Sequence, residues 1–335
     1  MWIKQIFWYG LGLILAFSLM FIGNKFLYQN AWFLYIFGVI LLILVLFFGH
    51  EVNNAKCWFK IPFIGSLQPS EFMKIFLIIF FSKLTNDFND KCNNPTLFDE
   101  FKFLLKILIL LLIPSILTFI EPDTGAVIMY FIITISILFI GGLRKRWFVM
   151  TLGILLILGS IFLGIYFINN DLFIKLFGTS FFYRMDRIIN WSDSTGLQLT
   201  NSLTAIGSAG TFGHGINNTP IYFPELQTDF IFGVISSNIG FIGSILVLLL
   251  LLYFDISIIS SANTCNNNED KYAIGGIIGV LIFQQIYNIS MTIGLVPIMG
   301  ITLPFLSYGG SSLLSYMLLL GIIFNVSNES LRYTN

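Results

Sequence analysis

Long runs of apolar residues, separated by short polar segments, dominate the pattern of this chain. At about 1.5 Å of rise per residue, a helix needs about 20 apolar residues to cross the ~30 Å hydrocarbon core of a bilayer. Nine runs approach that length, near residues 5–23, 31–49, 70–85, 104–121, 124–141, 148–168, 230–254, 274–296 and 311–327. The pattern predicts an all-α, polytopic bundle of about nine transmembrane helices.

Composition agrees with an integral membrane protein and excludes other classes. Of the 335 residues, 56% are hydrophobic and only 10% are charged, well below the ~25% typical of soluble domains. The apolar runs are continuous rather than alternating, which excludes an outer-membrane barrel. A net charge of zero gives no reason to expect nucleic acid as a partner. We predict one membrane domain over residues 1–335, without a soluble module or a cleavable signal peptide.

Lysines and arginines of the loops set the orientation of the bundle. The densest basic cluster, Arg144–Arg146, lies between two apolar runs, so we place it in the cytoplasm. Counting outward, the external segments are 50–69, 169–229 and 297–310. On this topology Cys57 lies on the opposite side from Cys92 and Cys265, so a structural disulfide is not expected.

The external stretch at 169–229 is far longer than a connection requires. It is rich in Gly, Asn, Ser and Thr, and long loops are usually either functional or disordered. Its aromatic residues, which include Tyr183, Trp191 and Phe223, favour an ordered loop that lies against the membrane. We therefore expect one large extracytoplasmic loop within the membrane domain.

Asp229 stands where this loop meets the next apolar run. One interpretation is a helix start, with Thr228 as the cap and Asp229 in the first turn, where the helix dipole favours a carboxylate. The other is a general base at the membrane surface, with a pKa tuned by partial burial. Both can hold together, because a helix start would fix the carboxylate rigidly.

Two arginines, Arg184 and Arg187, lie three residues apart within the same loop. On a helix they would share one face. Paired guanidinium groups suit bidentate recognition of a diphosphate. Contact with lipid headgroups, or a local pair with Asp186, is an equally good interpretation of the sequence.

Glu71 and Lys74 lie within one helical turn of each other inside an apolar run. Ionisable residues within a membrane span are functional candidates by default. Their spacing also permits an ion pair that keeps both charges satisfied, and we favour that structural role. The preceding Gln68-Pro69-Ser70 indicates a helix start with Pro near the first turn.

Two polar segments interrupt apolar runs on the external side. Residues 121–125 form a Pro-Asp-x-Gly turn, whose carboxylates, Asp123 among them, could also line a polar cavity or hold a cation. Residues 303–312, with Ser307 and Ser311, predict non-helical backbone that dips into the membrane. Such backbone is tolerated only where protein buries it or where it lines a cavity. These features are typical of a transporter, a channel or a lipid-handling enzyme.

In this order the segments resemble the SEDS family (RodA, FtsW and SpoVE), and most closely its RodA type. The matching stretches are Gln68-Pro69-Ser70-Glu71 with Lys74; Pro122-Asp123-Thr124-Gly125; Arg184 with Arg187; Ala205-Ile206-Gly207-Ser208 to Gly213-His214-Gly215; Pro224-Glu225 with Thr228-Asp229-Phe230-Ile231-Phe232; and Gly294-Leu295-Val296-Pro297 through Leu303-Pro304-Phe305-Leu306-Ser307-Tyr308-Gly309-Gly310-Ser311-Ser312. The resemblance covers nearly the whole chain.

The resemblance implies a peptidoglycan glycosyltransferase of the bacterial cytoplasmic membrane. It would polymerise lipid II into β-1,4 glycan strands at the outer face, for cell elongation or division. Asp229 would be the catalytic base, Arg184 and Arg187 would bind diphosphate, and Trp58 would be an outer-loop residue important to activity. The other candidates for contact with the substrate are Glu71, Lys74, Asp123, Ser307 and Ser311. A divalent cation, Mg²⁺ or Mn²⁺, would assist by offsetting diphosphate charge.

The same resemblance implies a partner and exposes departures from the family pattern. The partner is a class B penicillin-binding protein, whose transpeptidase domain crosslinks the new strand. The family has ten spans, and the first run here matches the second of them, so we expect the first span to be missing. Cys57 stands where Arg is usual, Glu121 where Gln is usual, and Ser236–Asn238 where Gly-Glu-Glu is common. The alternative functions are a lipid II flippase and an inactive paralogue that scaffolds a penicillin-binding protein.

Overall fold

The computed structural model describes residues 2–52, 55–61, 65–92, 94–189, 197–263, 265 and 267–334. The helices in these ranges are α1 (Trp2–Ile22), α2 (Asn24–Gln29), α3 (Ala31–Phe48), α4 (Pro69–Lys91), α5 (Leu97–Ile120), α6 (Thr124–Ile140), α7 (Lys145–Ile168), α8 (Asn170–Phe177), α9 (Thr179–Ile189), α10 (Leu197–Ser208), α11 (Ile231–Asn263), α12 (Asn268–Thr292) and α13 (Gly310–Thr334). The strands are β1 (His50–Val52), β2 (Ala55–Ile61) and β3 (Gly65–Leu67).

The predicted polytopic helical bundle is confirmed. Within the described ranges, seven helices are long and apolar enough to cross a membrane: α1, α3, α5, α7, α11, α12 and α13. The two remaining apolar runs correspond to α6, which is apolar but has only 17 residues, and to α4, which has 23 residues and carries several charges. All nine predicted runs therefore lie on helices.

Helix α4 lies at the centre of the bundle. It packs against α3, α6 and α12, and its Met73, Leu77, Ile78 and Phe80 are fully buried. Because neighbouring helices surround it, its ionisable side chains face protein rather than lipid. Helix α7 is the opposite extreme, since none of its membrane-length window is buried. The bundle therefore contains a central helix that tolerates polar residues and a peripheral helix that is apolar on all sides.

The loops that we place on the same side of the membrane lie together. On the predicted cytoplasmic side, the Asn24 amide donates a hydrogen bond of 2.8 Å to the carboxylate of Asp270. On the predicted external side, the Gln68 amide donates one of 2.8 Å to the carboxylate of Asp123. These contacts agree with helices that alternate in direction along the chain, as the predicted topology requires.

A small antiparallel sheet covers part of the outer end of the bundle. Strand β2 pairs with β1, with His50 opposite Trp58, and with β3, with Phe59 opposite Leu67. The sequence analysis predicts only a loop here, because a search for runs of about 20 apolar residues does not detect strands of three to seven residues. The all-α class holds for the membrane bundle, with this sheet as an addition.

The segment at 169–229 contains three helices, α8, α9 and α10. An aromatic cluster joins the first two to α7, since the ring of Phe173 lies 5.5 Å from that of Tyr166 and 5.0 Å from that of Phe162. Phe223 is fully buried against Phe230. Trp191 lies outside the described residues. In its described part the segment therefore has helical structure and packs on the bundle.

Helix α11 is broken at Gly240, and a loop fills the break. Two N–H groups of the 210–215 loop donate to carbonyls shortly before the break, on Ser237 and Asn238, at 2.9 and 3.0 Å. The first two N–H groups after the break donate to carbonyls of the same loop at 3.0 and 3.2 Å. Backbone groups that a broken helix would leave unpaired are thus satisfied by the loop.

We predict that Gly240→Ala lowers the thermal stability of the protein. Gly240 has φ 67° and ψ −162°, a region that residues with a Cβ adopt only under strain. An added Cβ would lie 2.4 Å from the Gly213 nitrogen. The expected loss is at least about 1–3 kcal/mol from backbone strain alone. Thermal unfolding in detergent measures it.

Gly153→Ala in α7 is the matched control, because a Cβ there meets nothing within 4 Å. Alanine is the better helix former, so this variant should unfold at the wild-type temperature or slightly above it. Equal unfolding temperatures for the two variants would show that the break at Gly240 is not a rigid feature.

Candidate functional site

A cavity of about 610 Å³ lies among the external ends of the helices. Its walls come from the start of α1, the sheet, the start of α4, the turn between α5 and α6, residues 225–229, α12 and residues 299–312. Six of the predicted site residues line it: Asp229, Trp58, Glu71, Lys74, Asp123 and Ser311. Residues more than 200 positions apart in the sequence thus meet in one polar space inside an apolar bundle.

The backbone around Asp229 is held to residues 299–309 by hydrogen bonds at three consecutive positions. The Asn288 amide donates to the Asp229 carbonyl at 2.8 Å and to the Ile301 carbonyl at 2.7 Å. The Ser307 hydroxyl donates to the carbonyl of residue 228 at 2.6 Å, and the N–H of residue 308 donates to the carbonyl of residue 227 at 2.7 Å. These bonds fix the position from which the Asp229 side chain extends.

The predicted helix start at Thr228 and Asp229 is wrong in detail. Helix α11 begins at Ile231, and its first turn contains no acidic residue. The Thr228 hydroxyl donates to the Glu225 carboxylate at 2.7 Å and does not cap the helix. Tertiary hydrogen bonds, rather than a helix N-terminus, therefore fix Asp229.

Burial raises the pKa of the Asp229 carboxyl to about 6, and the negative charge of Glu225 adds to this effect. Both carboxyl groups line the cavity. Gly300 lies against the same carboxylate, since a Cβ built on it would be 3.6 Å from Asp229 Oδ2. Asp229 is thus a cavity-lining residue with an anchored backbone and a carboxyl pKa of about 6.

Glu71 and Lys74 form the predicted ion pair, with 2.8 Å between Lys74 Nζ and Glu71 Oε2. The Ser315 hydroxyl donates to the same carboxylate oxygen at 3.0 Å. Lys74 is only 2% exposed and lies 5.5 Å from the centre of the Tyr316 ring. The pair is internally neutralised, and it also forms part of the cavity wall.

Asp123 caps α6 and accepts hydrogen bonds from three donors. These are the Ser70 hydroxyl at 2.7 Å, the Gln68 amide at 2.8 Å and the Ala126 N–H at 3.1 Å. Burial raises the pKa of Asp123, and the donors act against that shift. The sequence leaves two interpretations of this segment, a turn and part of a cavity wall, and the structure shows both.

Glu121, two residues earlier, is fully buried and does not line the cavity. Neither of its carboxylate oxygens has a hydrogen-bond partner among the described residues. Burial raises the pKa of this carboxyl to about 8, and Asp123 adds to the shift. At neutral pH the group is therefore mostly a neutral acid, similar in charge and size to the Gln that the family pattern places here.

The two predicted serines form hydrogen bonds with backbone groups. The Ser311 hydroxyl donates to the Ser66 carbonyl at 3.1 Å and accepts from the Gln68 N–H at 2.9 Å, which joins β3, α4 and α13. Ser307 does not line the cavity, and its oxygen accepts from the Leu303 N–H at 2.8 Å. Contact of either serine with a substrate stays a prediction.

Arg184 and Arg187 both lie on α9, which meets the condition under which the two residues share one helix face. Their side chains lie outside the described part of the structure. Asp186, between them, accepts a hydrogen bond of 2.7 Å from the Tyr166 hydroxyl of α7. Of the 169–229 segment, the cavity is lined only by Glu225, Thr228 and Asp229 among the described residues. A diphosphate-binding role for the two arginines stays a prediction.

Several residues that line the cavity are not among the site residues predicted from the sequence. The cavity is also lined by Lys4, Gln68, Gln284, Thr302 and Tyr308. A signal existed for Gln284 and for Asn288, because amide side chains inside an apolar run are costly unless they are paired or functional. For Lys4 and Thr302 the sequence gives no such signal.

Ser236–Asn238, where the family pattern has acidic residues, lie away from the cavity. Ser236 and Ser237 are buried, and the Ser236 hydroxyl accepts from Ser244 at 2.9 Å. Asn238 accepts from the Thr219 hydroxyl at 3.0 Å. This departure therefore removes no carboxylate from the cavity wall.

The described residues contain no group of three or more His, Cys, Asp or Glu side chains placed to hold a metal ion. All three cysteines are free, as predicted from their topology. The Cys57 thiol donates to the Glu121 carbonyl at 2.7 Å.

Comparison with known proteins supports the sequence resemblance. The model of the FtsW, RodA and SpoVE family, described as "Cell cycle protein", matches residues 1–332. A probable peptidoglycan glycosyltransferase FtsW of Buchnera aphidicola (subspecies Schizaphis graminum) is 31% identical, over 97% of this chain and 90% of its own. Stage V sporulation protein E of Bacillus subtilis is 34% identical, over 83% of this chain and 73% of its own.

Solved structures show the same architecture. One, titled "Structural coordination of polymerization and crosslinking by a peptidoglycan synthase complex", matches with a TM-score of 0.80 and 26% identity, over 98% of this chain and 89% of that chain. The Thermus thermophilus rod shape determining protein RodA matches with a TM-score of 0.70 and 26% identity, over 97% and 87%. FtsW proteins and SpoVE are similar in sequence and RodA in structure, so a preference for the RodA type stays a prediction.

We predict that Glu121→Gln stabilises the protein increasingly as pH rises. The carboxyl pKa is 4.5 ordinarily and about 8 when folded, so between these values the folded state keeps a proton that the unfolded state releases. Wild-type stability therefore falls across this window, by up to about 1.4 kcal/mol per pH unit, and levels off above it. Thermal unfolding of both proteins at pH 5 and pH 8.5 tests this expectation.

Glu51→Gln, which removes an exposed carboxylate on β1, is the control and should follow the wild type at both pH values. A constant difference between Glu121→Gln and the wild type from pH 5 to 8.5 would contradict a buried acid at residue 121.

Proposed function

Because the chain belongs to the FtsW, RodA and SpoVE family of cell cycle proteins, we propose that its peptidoglycan glycosyltransferase reaction takes place in this cavity, with Asp229 as the base. The chain is a multi-pass protein of the cytoplasmic membrane that acts in cell-wall synthesis. One observation carries the assignment of the base. Asp229 is a cavity-lining carboxylate, fixed by tertiary hydrogen bonds, with a pKa of about 6.

The proposed substrate is lipid II, the undecaprenyl-diphosphate-linked disaccharide peptide. The 4-hydroxyl oxygen of GlcNAc on one lipid II attacks the anomeric carbon of the growing chain, and Asp229 accepts the hydroxyl proton. The bond from that carbon to the diphosphate oxygen breaks, and undecaprenyl diphosphate leaves with the bonding electrons. Attack opposite the leaving group inverts the anomeric centre and gives a β-1,4 bond. A base with a pKa near the working pH is suited to this step.

We expect the diphosphate to be bound by basic side chains whose charge is not already neutralised by a protein carboxylate. Lys74 is buried in its pair with Glu71, so its charge is used within the protein. Lys4 is exposed and lines the cavity, and it is therefore the described cation best placed to meet an anionic group. Arg184 and Arg187 remain candidates for the same role, and Trp58 on β2 offers an aromatic wall. An Mg²⁺ or Mn²⁺ ion that would offset diphosphate charge stays a prediction.

The proposed partner is a class B penicillin-binding protein that crosslinks the product. The solved structure with the TM-score of 0.80 is described as a peptidoglycan synthase complex that coordinates polymerization and crosslinking, and this supports the proposal. A flippase for lipid II needs no base, so the role of Asp229 separates that alternative from the enzyme. The inactive paralogue was suspected because Ser236–Asn238 replace acidic residues of the family pattern. These residues lie outside the cavity, so the replacement gives that alternative less support than the sequence suggested.

We predict that Asp229→Asn lowers polymerisation of labelled lipid II by at least about a hundredfold, the scale of general-base catalysis. The assay uses purified protein with a co-expressed class B penicillin-binding protein. Asp171→Asn, which changes an exposed carboxylate on α8, is the matched control and should keep wild-type activity. Glycan strands made at the wild-type rate by Asp229→Asn would rule out the proposed base. Inactive wild type with its partner would favour the transport or scaffold alternatives.

We also predict an acid limb in the pH profile of polymerisation. The base must be ionised, so activity should fall as pH decreases through the Asp229 pKa of about 6. The charge of Glu225 raises that pKa, so Glu225→Gln should move the limb to lower pH. Rates measured from pH 4.5 to 8 test both points. A limb that does not move in Glu225→Gln would show that another group titrates.

A further inference from the structure

The inner end of the cavity holds a cluster of polar side chains arranged around Tyr316. The Thr302 hydroxyl lies 3.0 Å from the Tyr316 hydroxyl, and the Gln284 side chain lies beside the same tyrosine. Lys74 lies over the ring, with Glu71 as its ion-pair partner. Four of these residues, all except Tyr316, line the cavity. The proton transfer assigned to Asp229 uses none of them.

Gln284 carries an unsatisfied hydrogen-bond acceptor. Its side chain is 3% exposed, and its Oε1 has no partner among the described residues. A buried polar atom without a partner costs about 1–3 kcal/mol. Gln284 belongs to the cavity wall, with this oxygen turned below the surface, so a donor in the cavity would meet it once the side chain turns. An O–H or N–H group of an occupant of the inner end, or of a water molecule, would satisfy this oxygen.

The charges of the cluster indicate which kind of chemical group can bind at the inner end of the cavity. Lys74 and Glu71 neutralise each other, so the inner end has no net charge to attract a diphosphate. The carboxylate of Glu71 and the carbonyl of Gln284 are both acceptors, which favours a neutral group that is rich in donors. A sugar bearing hydroxyl and acetamido groups meets this description, whereas an anionic phosphate would lie beside a carboxylate.

Helix α12 links this cluster to the base. Gln284 and Asn288 are four residues apart and therefore share a helix face. Asn288 holds the Asp229 carbonyl, as described above, at 2.8 Å. A sugar bound at Gln284 would thus lie about one helical turn from the residue that positions the base.

We propose that the inner end of the cavity is a saccharide subsite, in which Gln284 Oε1 accepts a hydrogen bond from a hydroxyl or acetamido N–H of a lipid II sugar. This inference rests on the proposed function, because it takes lipid II as the substrate. It makes Gln284 a substrate-binding residue and leaves proton transfer to Asp229.

Binding of labelled lipid II to purified Asp229→Asn protein, which retains the subsite but lacks the base, tests the proposal. Adding Gln284→Leu should weaken binding by about tenfold, the upper range for one neutral hydrogen bond. In the protein with Asp229 intact, Gln284→Leu should raise KM by a similar factor and change kcat little. Gln284→Met, which keeps the side-chain length without the acceptor, replaces the Leu variant if that protein does not fold.

Gln285→Leu is the matched control. Gln285 is also buried on α12, but it donates to Asp255 at 3.0 Å and does not line the cavity. Its variant should bind lipid II as Asp229→Asn alone does. Equal affinity for the Gln284 and Gln285 variants would overturn the subsite and leave water as the donor to Gln284. Absence of any lipid II binding by Asp229→Asn would instead remove the proposed substrate, and the subsite with it.

Discussion

The bridge between the Asp229 turn and residues 299–309 is the constraint on which the site depends. Asn288 donates from inside α12 to one carbonyl of each segment, at 2.8 and 2.7 Å. A flexible turn would move the backbone that carries the carboxylate, whereas hydrogen bonds at consecutive residues hold that backbone in place and limit the space the side chain can reach. Base catalysis requires that restriction, because proton transfer needs hydrogen-bond distance between the carboxylate and the attacking hydroxyl.

A polar cavity can exist in this bundle because charged groups in its wall are paired within the protein. Lys74 and Glu71 form an ion pair on the central helix, and Asp123 accepts three hydrogen bonds. Unpaired charges at membrane depth would be costly, and α4 avoids that cost by being surrounded by other helices. Among the described residues, the Asp229 carboxylate and the Lys4 ammonium group have no such partner. These two groups are therefore suited to contact a substrate.

The sequence predicted the bundle and six residues of the cavity wall, but it missed the local structure that holds them in place. Continuous apolar runs revealed the membrane helices, and the family resemblance selected Asp229 and Asp123. The anchoring of Asp229 was misassigned to a helix start, because a cap and a tertiary turn share the same Thr-Asp signal. Gln284 was missed although an amide within an apolar run is a signal, because the unpaired oxygen that distinguishes it from its neighbours is visible only in the structure.

The account's central claim is that Asp229 receives the proton of the attacking hydroxyl. A structure of the Asp229→Asn protein with lipid II bound measures this most directly. The account predicts the GlcNAc 4-hydroxyl oxygen within about 3.2 Å of the residue 229 side chain, the reach of a general base. A sugar held elsewhere in the cavity, with its 4-hydroxyl directed at another carboxylate such as Glu225 or Asp123, would contradict the claim and transfer the role of base to that residue.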